Sequence, residues 1–345
     1  MAAVETIDKT IATLRSVLQV SPATILDANT RLLGGIPEFD SLAVASVLLA
    51  LEEQFEIEFA DDEISAEMFT TVGTLGDYIE GLASAAQPDL QAGFVAARSG
   101  RLFVLRRQPA GAAKRCVVIV PPFGEEMNRA RPLMAATAEA LSARGLACCY
   151  FDLHGTGDSD GDFSAARWDT WLDDLDDVIS SIAAAGRVAV DIIGVRLGAL
   201  LALQYAADNA AGRLVLWDPV LDAGGYLDRF LLTRSMAAMM SGRDESVATL
   251  RQRLENGETL EVGGYALHPD MVAQLAALQV PRSTLSQSVC VISRSAKTEA
   301  VVREAGLAPD LVCTADYEPY WSAVEVVAAP GLVDATCDQL GAANA

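Results

Sequence analysis

A small acidic four-helix bundle followed by an α/β domain with a mostly parallel sheet and a helical insertion is the fold class that this sequence predicts. Three observations predict it. The first 84 residues place apolar side chains at helical spacing and hold more than half of the excess negative charge. From residue 93 onward, short β-branched runs alternate with helical segments. The alternation breaks over about 222–286 and then resumes.

The bulk properties bound the function. With 345 residues, the chain has room for two domains and a sizeable core. Apolar residues make up 51% and occur in short runs, as in a globular protein. The longest apolar stretches, such as Leu42 to Leu51, are far shorter than the roughly 20 residues of a membrane span. The opening M-A-A-V-E-T-I-D-K-T has acids at Glu5 and Asp8 and no basic-then-apolar pattern, so a cytoplasmic location is expected. The six cysteines form no C-x-x-C pair and lie mostly in strand-like runs, which predicts buried free thiols. Two histidines without ligand spacing predict no metal site. The net charge of −22 argues against nucleic acid and against insertion into anionic membranes. Residues 1–85 hold 15 acidic against 3 basic residues, a net of −12, leaving −10 for the rest.

Within residues 1–84, Ile7, Ile11, Leu14, Val17 and Leu18 define the apolar face of a first helix. A loop containing Pro22 and Gly34-Gly35-Ile36-Pro37 follows. A second, long apolar helix begins at Asp40-Ser41-Leu42 and ends its exposed face at Glu52-Glu53. A short element near Asp61 to Phe69 and a last helix near Val72 to Leu82 complete the segment. With its D-S-L motif at the start of the second helix, this segment resembles an acyl carrier protein. The resemblance implies that Ser41 carries 4′-phosphopantetheine, flanked by Asp40 and Leu42. It also implies a phosphopantetheinyl transferase and acyl-activating or acyl-transferring enzymes as partners. A helix N-terminus suits a phosphodiester, and an acidic helix suits docking on basic surfaces. D-S-L alone also reads as an ordinary helix N-cap.

Residues 85–92, A-A-Q-P-D-L-Q-A, small, polar and Pro-containing, read as a linker to a domain over 93–345. A hairpin is expected across Ser99-Gly100. Buried strands are expected in R-C-V-V-I-V, L-A-C-C-Y-F-D-L, V-A-V-D-I-I-G-V, R-L-V-L-W, S-V-C-V-I-S and D-L-V-C-T, with helices over Met127–Arg144, Arg167–Ala184 and Leu197–Ala207 between the earlier ones. Three motifs stand at the strand ends. Gly194-Val195-Arg196-Leu197-Gly198 has the glycine spacing of a strand-to-helix nucleophile elbow. Asp152-Leu153-His154-Gly155-Thr156-Gly157-Asp158-Ser159 is a D-x-x-G-x-G-x-S loop. Pro121-Pro122-Phe123-Gly124 follows the first central strand. Together they resemble an α/β-hydrolase, with a cap over about 222–286. In detail, P-P-F-G-E-E-M-N-R-A-R, D-L-H-G-T-G-D-S-D-G-D-F-S, G-V-R-L-G-A-L-L-A-L and E-T-L-E-V-G-G-Y resemble the exosortase A system-associated hydrolases, type 2. That family implies a place near bacterial exopolysaccharide and protein-sorting loci. The fused carrier segment departs from it and points to acyl chemistry.

The catalytic apparatus departs from the hydrolase pattern. The elbow tip is Arg196, a permanent cation that cannot attack a carbonyl. The position after S-V-C-V-I-S reads Ser293-Arg294-Ser295, Asp218 is a candidate acid after the preceding strand, and no histidine follows Leu311. Arg196 then has two readings. It is a receptor for a carboxylate, a phosphate or a thioester carbonyl, or it is the cationic half of an ion pair with Glu125, Glu126 or Asp218. Glu125 and Glu126 are candidate general bases or first-turn helix acids; Asn128 is a candidate oxyanion donor or cap. His154 reads as a turn residue or a proton shuttle, and His268 as a surface residue. Trp217, Tyr320 and Trp321 read as pocket lining or core. Trp168 and Trp171 read as helix packing, and Asp173, Asp174, Asp176 and Asp177 as a solvated helix face. The functions in view are a carrier fused to a domain that handles carrier-bound acyl groups, a non-catalytic binding module, and a thioesterase or acyltransferase without the triad.

Overall fold

The computed structural model describes residues 2–21, 24–37, 39, 41–55, 57, 59, 64–84, 90–109, 113, 115–184, 186, 189–281, 287–323 and 325–341. The chain divides into two compact units, Met1–Gln87 and Pro88–Ala345.

In the first unit, α1 (Ala2–Leu18), α2 (Ser41–Phe55) and α3 (Val72–Ser84) surround one apolar core. Leu14, Val47, Leu51, Leu75 and Ile79 are fully buried in it, and Ile7, Ile11 and Val17 pack against its edge. The expected four helices are three α-helices and one 3₁₀ turn, Ala66–Phe69, among the described residues. The long segment after α1 does the work of a fourth layer. It buries Leu26, Leu32, Ile36 and Phe39, and backbone bonds tie it to the start of α3: Leu32 N–H to Thr70 O (3.3 Å), Val72 N–H to Thr30 O (3.0 Å) and Gly73 N–H to Ala28 O (2.8 Å). Glu52 is not simply a solvated end of α2. Its Oε1 accepts the Phe59 N–H at 2.9 Å and turns the chain back under the helix. Asp40 and residues 61–63 lie outside the described residues.

The second unit is an eight-stranded sheet in the order β1-β2-β4-β3-β5-β6-β9-β10. Its strands are β1 (Leu90–Ala97), β2 (Gly100–Arg107), β3 (Arg115–Val120), β4 (Ala147–Phe151), β5 (Ala189–Val195), β6 (Leu214–Trp217), β9 (Val289–Ser293) and β10 (Leu311–Thr314). The β1–β2 and β2–β4 pairs are antiparallel and all others parallel. β1 starts at Leu90, so residues 90–92, read as linker from their small and polar composition, are strand. The central strands β3 to β6 and β9 are almost wholly buried because helices cover both faces. Cys116, Val118 and Val120 face α5 (Trp168–Ala184) and α6 (Gly198–Asp208), while Val117 and Ile119 face α4 (Glu125–Ala143) and α11 (Pro330–Gly341). The helix α10 (Thr298–Glu304) links β9 to β10.

Between β6 and β9 stand α7 (Ala223–Met240), α8 (Val247–Glu255) and α9 (Pro269–Ala277), as the interrupted alternation predicts. This insertion is not purely helical. It contains a hairpin of β7 (Leu260–Val262) and β8 (Tyr265–Leu267). Its two-residue turn is Gly263-Gly264, with φ of 58° and 89°, a conformation that glycine adopts without steric cost.

The aspartate run on α5 is solvent-exposed in part, as expected at Asp173 and Asp176, but it has two roles beyond a solvated face. Asp173, Asp176 and Asp177 converge on Arg98 at the β1–β2 turn, at 2.9, 2.6 and 3.0 Å. Asp174 is fully buried, accepting from Ser99 Oγ and from the His154 N–H. Burial pushes its acid upward against those two hydrogen bonds.

The elbow between β5 and α6 depends on two missing side chains. A β-carbon on Gly194 would lie 2.5 Å from Ala199 Cα, and one on Gly198 would lie 2.3 Å from Pro121 O. The first allows α6 to fold back on β5, and the second allows it to pass over the end of β3. Replacing Gly198 with Ala should therefore destabilise the second unit by about 2–4 kcal/mol. Urea unfolding followed separately for the two units should show only the second shifted; an unchanged midpoint there would contradict the packing described.

Candidate functional site

The chain winds to opposite sides of β3, so β4 and β5 flank it and a crevice opens at the carboxyl ends of β3 and β5. Each strand end delivers one part of the site. β3 leads through Pro121–Gly124 into α4, which puts Glu125 and Glu126 on the first turn of that helix. β5 leads into the elbow, where Arg196 has φ 55°, a left-handed conformation uncommon for a side-chain-bearing residue. Its backbone is held on both sides: Arg196 N–H donates to Trp217 O (2.9 Å), and Arg196 O accepts from Val220 N–H (3.0 Å) and Ala199 N–H (3.1 Å). β6 leads into Asp218, which also has positive φ, 40°.

The Arg196 side chain is about 15% exposed and has contacts on every side. Nε donates to Glu126 Oε2 at 3.2 Å and Nη2 to Glu126 Oε1 at 3.5 Å. Nη1 donates to the Asp218 main-chain oxygen at 3.0 Å. The guanidinium lies over the Trp321 ring, 4.2 Å from its centroid. Of the three expected acidic partners, Glu126 forms the ion pair. Glu125 turns to the cavity mouth, accepting from Asn128 Nδ2 (3.0 Å) and Tyr265 Oη (3.3 Å). Asn128 thus bridges two side chains, where an oxyanion donor or a helix cap was expected. The Asp218 carboxylate points to other partners: Ser293 Oγ (2.8 Å), Tyr317 Oη (2.6 Å) and the Arg294 N–H (3.3 Å). It orients no histidine.

Burial raises the Glu126 acid above its ordinary value, and this outweighs the opposing attraction of Arg196 and the hydrogen bond from Tyr226. Tyr226 is itself pushed well up, first by burial and then by Glu126. These groups face a cavity of about 480 Å³ lined by Phe123, Tyr226, Phe230 and Trp321 as well as Arg129 and Arg229. Sequence reasoning missed Tyr226, Arg229 and Phe230, which come from α7; no local motif marks them, since only the fold brings the insertion over the strand ends.

The remaining candidates lie elsewhere. Trp217 is fully buried and donates Nε1–H to Thr336 Oγ1 at 2.9 Å, so it is core, as is Tyr320. Trp321 does line the cavity. His154 packs its ring against Gly161, and His268 caps α9 by accepting the Asp270 N–H at 3.1 Å. Neither histidine lines the cavity. Among the described residues no group of three His, Cys, Asp or Glu could hold a metal ion, and no helix is long and apolar enough to cross a membrane. None of the six cysteines, all of which are among the described residues, is in a disulfide, and five are buried.

In the first unit, α2 opens at Ser41. The first-turn N–H groups of a helix have no intrahelical partner, and the start of a 15-residue helix favours a phosphodiester on that residue. The backbone there fits a phosphopantetheine attachment point.

Strand order, elbow and strand-end loops define an α/β-hydrolase domain behind a helical carrier domain. Comparison with known proteins agrees. Residues 8–79 match the family model described as phosphopantetheine attachment site. Residues 111–276 match the one described as serine aminopeptidase, S33. Among solved structures, Est1E from Butyrivibrio proteoclasticus with bound ferulic acid is similar at 16% identity, over 72% of this chain and 99% of that chain, TM-score 0.53. DcsB in complex with its substrate analogue is similar at 15% identity, over 74% of this chain and 100% of that chain, TM-score 0.50. At these identities the likeness shows the fold alone. The carrier domain bears a 4′-phosphopantetheine prosthetic group, whose free thiol carries acyl groups as thioesters.

The raised Glu126 acid has a consequence for stability. The folded protein holds this proton more tightly than the unfolded chain does. The group's contribution is therefore fully present below the ordinary glutamate range and is lost as pH rises through the folded value. From about pH 4 upward, the native protein should lose stability relative to Glu126→Gln in urea titrations at successive pH values. Parallel stability curves would show that Glu126 titrates like an exposed glutamate.

Proposed function

We propose that the second unit binds acyl groups presented on a carrier thiol and does not cleave them through an acyl-enzyme. One observation carries this reading: the elbow tip, where hydrolases present their nucleophile, holds Arg196, already ion-paired to Glu126 and packed on Trp321. The absence of histidine from the cavity lining supports it. The aromatic walls suit an apolar acyl chain, and the cations Arg129, Arg196 and Arg229 suit polar or anionic groups on it. Ser41, between Asp40 and Leu42, is the residue we assign to the pantetheine arm, loaded by a phosphopantetheinyl transferase and charged by acyl-activating or acyl-transferring enzymes. The motif resemblance to exosortase A system-associated hydrolases supports a place in an exopolysaccharide-linked pathway, in the cytoplasm. The insertion between β6 and β9 acts in this reading as the cap over the site.

A second reading, a thioesterase or acyltransferase without the triad, draws on Glu126 itself. A buried carboxyl with a raised acid value, beside a cavity, can take a proton from water as that water adds to a thioester carbonyl. It can then return the proton to the departing thiol. Leu197 and Phe123 stand where α/β-hydrolases place their two oxyanion N–H donors.

Intact mass over time separates the readings. The full chain, loaded at Ser41 with an acyl-pantetheine arm, should keep its acyl mass for hours, and Arg196→Ala should keep it as well. Loss within minutes that Arg196→Ala or Glu126→Gln abolishes would establish the enzymatic reading. Ser41→Ala should refuse the arm, and acceptance of one would refute the carrier assignment.

A further inference from the structure

Arg196 makes two different kinds of contact. Its Nη1 and its ring-facing surface are held by the Asp218 carbonyl oxygen, at 3.0 Å, and by Trp321, at 4.2 Å. Neither contact involves Glu126, so the guanidinium stays aimed without it. The remaining edge, Nε and Nη2, is the fork that recognises a planar two-oxygen anion side-on. Glu126 fills that fork at 3.2 and 3.5 Å, distances longer than the 2.7–2.9 Å range typical of a charge-assisted pair.

Glu126 is a poor permanent tenant of that position. Its side chain is about 16% exposed, and burial costs its anion more than Arg196 returns. The cavity nevertheless keeps a surplus of positive charge, three arginines against two glutamates, in a chain of net −22. Arg229, on α7, faces Glu126 and Tyr226 and has no ion pair among the described residues. The other walls are the aromatic rings of Phe123, Tyr226, Phe230 and Trp321.

We propose that Glu126 stands in for a ligand carboxylate: the Arg196 fork is the receptor for an acyl group that ends in a free carboxylate, and such a ligand displaces Glu126 while its chain lies among the aromatic walls. This names the substrate class of the cavity and rests on the reading of that cavity as an acyl site. The shared chemistry is a carboxylate on a short apolar chain, either the far end of a carrier-borne dicarboxylic acyl group or a released monocarboxylic acid.

The test uses the full chain with its pantetheine arm, and measures binding by calorimetry with monomethyl adipate, hexanoate and the uncharged dimethyl adipate. Removing the competing charge in Glu126→Gln should tighten binding of both carboxylates by about tenfold or more and leave dimethyl adipate unchanged. Arg196→Gln should erase the preference for the charged probes. Tighter binding of monomethyl adipate than of hexanoate would assign the carrier-borne source, and the reverse order the released acid. Equal gains for charged and uncharged esters in Glu126→Gln, or no gain at all, would overturn the proposal. Should Glu126→Gln fail to fold, Tyr226→Phe, which removes the other partner of Glu126, makes the same comparison in the same direction. Because the probes are free in solution, a carboxylate site that responds to Glu126 alongside an arm that Ser41 does not accept would sink only carrier delivery. Intact carrier loading without carboxylate preference would sink only this inference.

Discussion

The close approach of α6 to the ends of β5 and β3 fixes the geometry on which the second unit turns. Neither Gly194 nor Gly198 leaves room for a β-carbon, and the clashing atoms are backbone, which cannot rotate away. With both glycines in place, residue 196 is forced to positive φ and lifted over the crevice at the sheet's switch point. The loop after β3 passes beneath α6 and starts α4, whose first turn aims the Glu126 carboxylate at the lifted residue. Arginine at the tip and glutamate on the facing helix thus meet because packing brings both there.

Electrostatics in this site is set by burial more than by pairing. An ion pair in water would lower the acid value of a glutamate; here desolvation raises it although Arg196 is in contact. The surrounding rings exclude solvent and also give the guanidinium a face to rest on. The same competition appears at Asp174, where two hydrogen bonds do not offset complete burial. At Arg98, about half exposed, three aspartates gather around one cation and water screens the set, so that cluster fastens the β1–β2 turn to α5 at modest energetic value.

Much of this architecture was legible in the chain. The alternation of buried strands and helices, the two elbow glycines and the D-x-x-G-x-G-x-S loop are local patterns that correspond directly to local geometry. Placing Glu126 near Arg196 was also legible, because both follow from where β3 and β5 end. Other features were not, for identifiable reasons. The choice of Glu126 over Glu125 or Asp218 depends on rotamers and on Tyr226 and Tyr317, residues about 100 positions from their partners in sequence. The aspartate run on α5 looks solvent-facing by composition, and only the β1–β2 turn packing against it reveals Arg98. The β7–β8 hairpin was signalled by Gly263-Gly264, but its strands are three residues each, too short for periodicity to stand out from the helices around them. In the carrier unit the loop after α1 carries core residues without regular spacing, so a helical count missed its structural weight.

Three hydrogen bonds hold the backbone of the elbow tip through main-chain atoms: its N–H donates to Trp217, and its carbonyl oxygen accepts from Ala199 and Val220. The side chain takes no part in those three bonds and makes separate contacts with Glu126, the Asp218 carbonyl oxygen and Trp321. The scaffold therefore treats position 196 as a socket, in which the fitting can be exchanged while the mounting stays the same. Exchanging the residue at the tip changes what the crevice presents, whereas the base and orienting acid of a hydrolase triad would have to come from other positions. A change of side chain there leaves the main-chain bonds of the turn in place, so the crevice can meet a different group without the elbow losing its mounting.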